Sequence, residues 1–326
     1  MTPARPVPAA SPLSHHSPLA FDDLVGWRKD DHEAALAAFV VTCDIPDGPE
    51  WRQMGDAARA QPDPRAFFER FFRPVLIGDG PALFTGYYEP ELPGALSRSA
   101  RFCHPIYARP DDLPETEPWV TRAEIEAGGL LEGRGLEIAW LDDPAEAFFL
   151  QVQGSGRIRL PDGTILRVGY DGRNGHPYRS IGQEMIRRGL FTPEEISATA
   201  IKDWLRGHPA ECRGILQHNP SFVFFRVLTD VPADKGPIGT MGRPVTPGRS
   251  VAVDPGFTPL GAPVWIETDG PDPIRRLMIA QDTGSAIKGP QRADIFCGSG
   301  DQAGITAGAL RDPGRMLVLM PLPVKD

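Results

Sequence analysis

Two hydrophobic rhythms run along this chain of 326 residues. Near its start the apolar positions recur at helical spacing. Leu36, Ala37, Phe39 and Val40 follow Asp30 and Asp31, either of which can cap a helix, and PDPRAFFERFF (62–72) repeats the pattern. From Leu83 the rhythm shortens. LFTGYYEP (83–90), FCHPIYA (102–108), LEIAW (136–140), AFFLQVQGSGRIRL (147–160) and TILRVGY (164–170) read as strands parted by Gly and Pro turns. Thr121 to Glu124 fits a capping box for a short helix ending at Gly128-Gly129. TPEEISATAIKDWLRG (192–207) predicts the clearest helix: Thr192 caps it, Pro193 takes the first position, Glu195 completes the box and Gly207 ends it. Beyond His218 the strand pattern resumes in SFVFFRVL (221–228), SVAVD (250–254), APVWIE (262–267), RLMIAQD (276–282), ADIFCG (293–298) and RMLVLMP (315–321).

Strands on both sides of a helix-bearing middle predict a mainly β protein, a barrel interrupted by a smaller β-rich insert with peripheral helices. The expected division gives residues 1–20 to a disordered tail, 21–107 with 235–326 to the barrel, and 108–234 to the insert. Composition supports the β reading, since 35 Gly and 36 Pro make about a fifth of the chain. The formal charge of −9, with no Lys/Arg run, argues against a nucleic-acid partner. Cys43, Cys103, Cys212 and Cys297 are widely spaced; their even count leaves disulfides open, isolated buried thiols are favoured over them, and no zinc-ligand spacing is present. No run approaches the roughly 20 apolar residues of a membrane span. The Pro/Ala/Ser-rich start lacks the apolar core of a signal peptide, and Cys43 does not sit where a lipoprotein cysteine belongs.

The densest chemistry lies in DTGSAIKGPQRADIF (282–296), where Asp282 and Asp294 flank a Gly-rich loop carrying Lys288. Glycosidic chemistry needs a carboxylic acid kept protonated beside the leaving oxygen, with a second group to steady charge on the sugar. The bland alternative makes Asp282 a turn cap and Asp294 a solvated strand residue. Asp282-Thr283-Gly284 also mimics an aspartic-protease signature, but no second DTG or DSG exists to form the dyad. VGYDGRNGHPYRSIG (168–182) gathers Tyr170, Asn174, His176, Tyr178 and Ser180 as a sugar-binding loop would, or as a turn satisfying its own backbone would. If FLQVQGSG (149–156) is a strand, Gln151 and Gln153 share one face of it. Thr85, Tyr87 and the runner-up acid Glu89 come from FTGYYEP, and Asp254 sits in a turn-forming Asp-Pro-Gly. Ser155 has no evident His/Asp partners for a serine hydrolase.

Taken in order, FTGYYEP, FFLQVQGSGRI, VGYDGRNGHPYRSIG, NPSFVFFR, VAVDPGFTPLGAPVWIE and DTGSAIKGPQRADIFCG resemble the membrane-bound lytic murein transglycosylase A (MltA) family, from about Leu83 to Pro321. The resemblance implies a double-psi β-barrel with an inserted domain, and a glycan strand running in the groove between them. It implies a lyase that cleaves the β-1,4 bond between N-acetylmuramic acid and N-acetylglucosamine in peptidoglycan turnover, leaving 1,6-anhydro ends. Asp294 corresponds to the family's catalytic acid, Asp282 to its close partner, and Asp254 to a further motif aspartate. Thr85, Tyr87, Gln151, Gln153, Tyr170, Asn174, Tyr178, Ser180 and Lys288 are the expected substrate-binding residues. No cofactor or metal is expected. The expected partners are peptidoglycan strands, with cell-wall synthesis or division proteins as further candidates. The expected form is a monomer in the cell envelope, periplasm or outer membrane. The rivals are a glycoside hydrolase on the same barrel and a non-catalytic glycan-binding module.

Overall fold

The computed structural model describes residues 16–60 and 63–323. The described chain begins with β1 (His16–Pro18), α1 (His32–Thr42), α2 (Pro49–Arg59), α3 (Pro64–Phe71), β2 (Phe72–Ile77) and β3 (Ala82–Glu89). A middle section follows with β4 (Glu91–Ala95), β5 (His104–Tyr107), α4 (Arg122–Gly128), β6 (Glu137–Leu141), α5 (Pro144–Gln153), β7 (Ser155–Arg159) and β8 (Ile165–Arg173). It continues through α6 (Ile181–Arg187), α7 (Ala198–Gly207), α8 (Pro209–Leu216) and β9 (Val223–Val227). The last elements are β10 (Ser250–Val253), β11 (Pro263–Thr268), β12 (Arg275–Thr283), β13 (Arg292–Ser299), α9 (Asp301–Ala309) and β14 (Arg311–Pro321).

These elements form two compact units. One takes the chain up to Tyr87, Pro232–Gly298 and the residues from Ile305 on; the other takes Tyr88–Val231 and Ser299–Gly304. In the first unit the strands run in the order β14-β11-β12-β10-β13-β3, and β14 also pairs with β3, so the sheet closes into a six-stranded barrel. Closure removes the free edges that an open sheet would expose. Alternation along the strands sends Val251, Val253, Val264, Met278, Ala280, Ile295 and Val318 into the barrel. Trp265, Leu277, Ile279, Leu317 and Leu319 pack instead with Phe39, Phe67 and Phe68 of α1 and α3. The second unit holds a six-stranded sheet in the order β5-β6-β4-β7-β8-β9. Its core joins Leu92, Ile106, Leu141, Ile158, Val168 and Phe225 to Ala147 and Leu150 of α5.

Several expectations change. The chain divides at Tyr87/Tyr88, not at 107/108, because β4 and β5 pair with β6 and β7. His16–Pro18 pair with β2, so the expected tail is ordered from there, while residues 1–15 lie outside the described residues. The run expected as a strand over 147–153 is helix α5. Asp143 accepts the N–H of Ala145 at 2.8 Å, Pro144 occupies the first turn, and Gly154 ends the helix in the left-handed region. Caps therefore override the period-two alternation. The helix expected from Thr192 starts at Ala198, capped by Ser197; Thr192 and Glu195 bond each other but close only a turn. Asp31 caps α1.

Asp30 has another task. Its carboxylate accepts Arg249 Nη1 at 2.8 Å, Arg249 Nη2 at 3.1 Å and the Leu277 N–H at 2.9 Å, and both side chains are buried. Removing one member of such a pair strands the other charge. Asp30→Ala is therefore expected to lower stability by about 3–5 kcal/mol in chemical denaturation. A loss below about 1 kcal/mol, the worth of a surface pair, would refute this reading.

Candidate active site

The site grows from the short central strand β10. Ala252 pairs across the antiparallel ladder with Asp294 on β13, and across the parallel ladder with Asp282 on β12. Two strand spacings separate the two aspartates at their backbones, about 10 Å. Asp294 shares its face with Phe296, which clusters with Ala252 and Tyr87, while Ala293 and Ile295 point into the barrel.

Asp282 reaches that face by an irregularity. Met278 and Ala280 point into the barrel, and strict alternation would send Asp282 after them. Between Val251 and Ala252 the register shifts, so that Ala280 and Asp282 are the paired residues and Gln281 is extra. One extra residue reverses the parity. Gln281 is buried and fixed there: its Nε2 donates to Ala38 O at 2.8 Å and Thr42 Oγ1 at 2.9 Å, and its Oε1 accepts from Ser250.

The two carboxylates meet opposite surroundings. Asp282 accepts four bonds: the Thr240 N–H at 2.9 Å, Thr240 Oγ1 at 2.8 Å, the Thr283 N–H at 2.9 Å and the Tyr87 hydroxyl at 3.0 Å. That uses the roughly four lone-pair directions of a carboxylate. Asp294 accepts one bond, from Thr85 Oγ1 to Oδ1. Its Oδ2 has no partner among the described residues. Burial pushes the Asp294 carboxyl above the ordinary aspartate range, against the Thr85 hydrogen bond and the Arg292 charge; repulsion from Asp282 adds to the rise as a smaller cause.

Thr85 and Tyr87 stand two apart on β3 and so serve Asp294 and Asp282 from one face. Gly86 between them is required, because an added Cβ would lie 2.7 Å from Ala307 Cα and 3.0 Å from Cys297 Sγ. Arg292 completes the arrangement. Its Nη2 donates to Thr85 Oγ1 at 2.8 Å, and its Nη1 donates to Leu83 O at 3.2 Å and Ala293 O at 2.6 Å. Arg292 and Thr240 were not among the sequence candidates. The first was findable, since it lies two residues before Asp294 on a strand; the second comes from a loop with no periodic signal.

Other candidates are placed elsewhere or otherwise occupied. Asp254 ties a loop, accepting the Gly256 N–H at 3.1 Å and the Gly289 N–H at 2.9 Å, with Lys288 4.0 Å away and exposed. Glu89 is fully buried among Arg157, Arg167 and Ser299, which donate at 2.8, 2.8 and 2.7 Å. In the second unit Gln151 accepts Arg122 Nη2 at 2.6 Å and the Val223 N–H at 3.1 Å, and Gln153 accepts the Tyr88 N–H at 3.1 Å. Being on a helix, the two amides do not share a face. Asn174 donates to Val120 O and Pro220 O and accepts the Phe222 N–H. Ser180 caps α6 by accepting the Gln183 N–H. Gln151 and Asn174 are buried scaffolding, and the hydrogen bond that Gln153 accepts from the Tyr88 backbone is likewise internal. Tyr170 is exposed and Tyr178 half-buried, so both keep surface for a ligand. All four cysteines are free thiols.

Comparison with known proteins places the chain in a family. The family model described as the MltA specific insert domain matches residues 83–226, and the 3D domain matches residues 249–320. The membrane-bound lytic murein transglycosylase A of Vibrio cholerae is 34% identical over 283 residues, 82% of this chain and 74% of that protein. Its Escherichia coli K12 counterpart is 39% identical over 254 residues, 75% and 67% of the two chains. Among solved structures, MltA from Neisseria gonorrhoeae superposes with a TM-score of 0.81 at 31% identity, covering 99% of each chain. E. coli MltA with bound chitohexaose gives 0.76 at 31% identity, over 94% and 95%. With both family models matched across barrel strands and insert, and identity above 30% over most of the chain, the protein belongs to the membrane-bound lytic murein transglycosylase A family.

Proposed function

We propose that this chain is a peptidoglycan lytic transglycosylase whose acid and base are both Asp294. One observation carries the assignment: a partly buried carboxyl, raised in pKa, with one oxygen held and the other unpartnered. The hydrogen-bond directions indicate where its proton sits. Arg292 can only donate, so the Thr85 oxygen accepts from it and must give its single proton to Asp294 Oδ1. Oδ1 is thereby an acceptor, and the acid proton belongs on Oδ2.

In this reading Oδ2–H protonates the β-1,4 oxygen as the bond to the muramoyl C1 breaks and positive charge develops on the ring. The carboxylate then takes the proton of the muramoyl C6 hydroxyl, whose oxygen closes on C1 to give the 1,6-anhydro end. One carboxyl serves twice because the nucleophile is already part of the substrate. Asp282, with its acceptor positions filled by protein donors, positions Tyr87 and is poorly placed to activate a water, which counts against the hydrolase. The parallel β10–β12 pairing supports the double-psi form of barrel. The naming of the relatives as membrane-bound supports a place in the cell envelope, periplasm or outer membrane.

Digestion of purified peptidoglycan is expected to give 1,6-anhydro muropeptides by mass spectrometry, and Asp294→Asn to give none. Products of full hydrolytic mass would refute the transglycosylase. Thr85→Val removes a bond that favours the carboxylate, so Asp294 should hold its proton to higher pH. The alkaline limb of kcat/KM should move up while the rate falls about 10–100-fold; a limb moving down would sink this role for Thr85. Finally, a folded pKa above the ordinary value of 3.8 means stability present below that pH and lost as pH rises through the folded value. Asp294→Asn should therefore melt higher than the wild type at pH 7, with the gap closing toward pH 4. Equal or lower melting at pH 7 would contradict the burial cost assigned to Asp294.

A further inference from the structure

We infer that the second unit carries its own pocket for a short zwitterionic peptide, of the kind that stems of the wall polymer present. This rests on the peptidoglycan reading above and extends it from the glycan to the peptide. A cavity of about 1150 Å³ lies wholly within residues 98–222. That is somewhat above the roughly 300–1,000 Å³ of small-ligand sites.

What marks the cavity is polar groups left unmatched. Tyr107 on β5 is 9% exposed, and its hydroxyl, which has no hydrogen-bond partner among the described residues, stays open to solvent in the cavity. Glu137 is its register partner on β6 and is half-buried, and it has no ion pair among the described residues; nor has Glu132. Burial first, and then Glu137, Glu132 and Glu126, push the Tyr107 phenol up to about 12, so it remains a donor at neutral pH. Arg98 lines the same cavity with its guanidinium 5.7 Å from the centre of the Trp140 ring and no carboxylate partner among the described residues. His104 is half-buried, and burial lowers its pKa against the pull of Asp143 and Asp142, which keeps it neutral.

Free charge of both signs around a flat ring is more than a neutral sugar requires. An ammonium on a short aliphatic chain satisfies Glu137 and Glu132, and a terminal carboxylate satisfies Arg98 over Trp140. Peptide amides match the donor at Tyr107 and the donor and acceptor of a neutral His104.

The test is calorimetric titration of the full chain with a free stem tetrapeptide bearing a side-chain amine and a C-terminal carboxylate. The wild type should bind it saturably. Glu137→Gln, Tyr107→Phe and acetylation of the peptide amine should each weaken binding at least about tenfold, with unchanged melting temperatures. All variants should still release anhydro products from glycan stripped of its peptides. No saturable binding, or binding indifferent to Glu137→Gln and to acetylation, overturns the proposal. Equal binding of an unrelated all-L lysine peptide overturns it in favour of a docking site for a protein segment. The anhydro products are read separately, so a failure of the transglycosylase reading would show there and not in the titration.

Discussion

Everything at the active face depends on one extra residue in β12. Gln281 sits unpaired opposite the junction of Val251 and Ala252, and its burial against α1 holds the shift in place. Upstream of it, β12 builds the barrel interior; downstream, the same strand presents Asp282 outward. The helices packed on the barrel therefore do more than cover apolar surface. Through Ala38 O and Thr42 they fix the point at which structure gives way to chemistry.

The two aspartates show how environment divides labour between identical side chains. Asp282 is surrounded by donors from three segments, so its negative charge is matched and its position fixed. Asp294 is underserved, with a single hydroxyl on one oxygen, and burial makes its ionised form costly. Arg292 acts one step removed, setting the direction in which the Thr85 hydroxyl can donate. The acid role proposed for Asp294, which requires a proton to be given up and recovered, is served by this imbalance.

Much of this was legible in the sequence, and the rest was hidden for identifiable reasons. The strands from Leu83 onward and the caps at Asp31 and Thr121 follow from alternation and capping chemistry that act locally. Asp282 and Asp294 stand out because two carboxylates flank one Gly-rich loop. The shift at Gln281 leaves no local mark, because its cause is contact with α1, 239 and 243 residues earlier. Helix α5 reads as a strand because Phe148, Leu150 and Val152 alternate, while the deciding signals lie outside them, at Asp143, Pro144 and Gly154. Gln151 and Asn174 look like sugar-binding amides by type alone. Only the fold shows that backbone groups of neighbouring segments already claim them.

The closure of the barrel also sets an order of assembly. β3 must wait for β13 and β14, more than 200 residues further along, whereas β4 to β9 lie within residues 91–227 and can pair among themselves first. Joining ends so far apart carries a loop-closure entropy that shorter pairings avoid, and folds dominated by such contacts form slowly. Thr85 and Asp294 are on two of the strands that meet last. Until those strands meet, the hydrogen bond from Thr85 to Asp294 cannot form, so the geometry of the proposed acid is a product of the completed barrel.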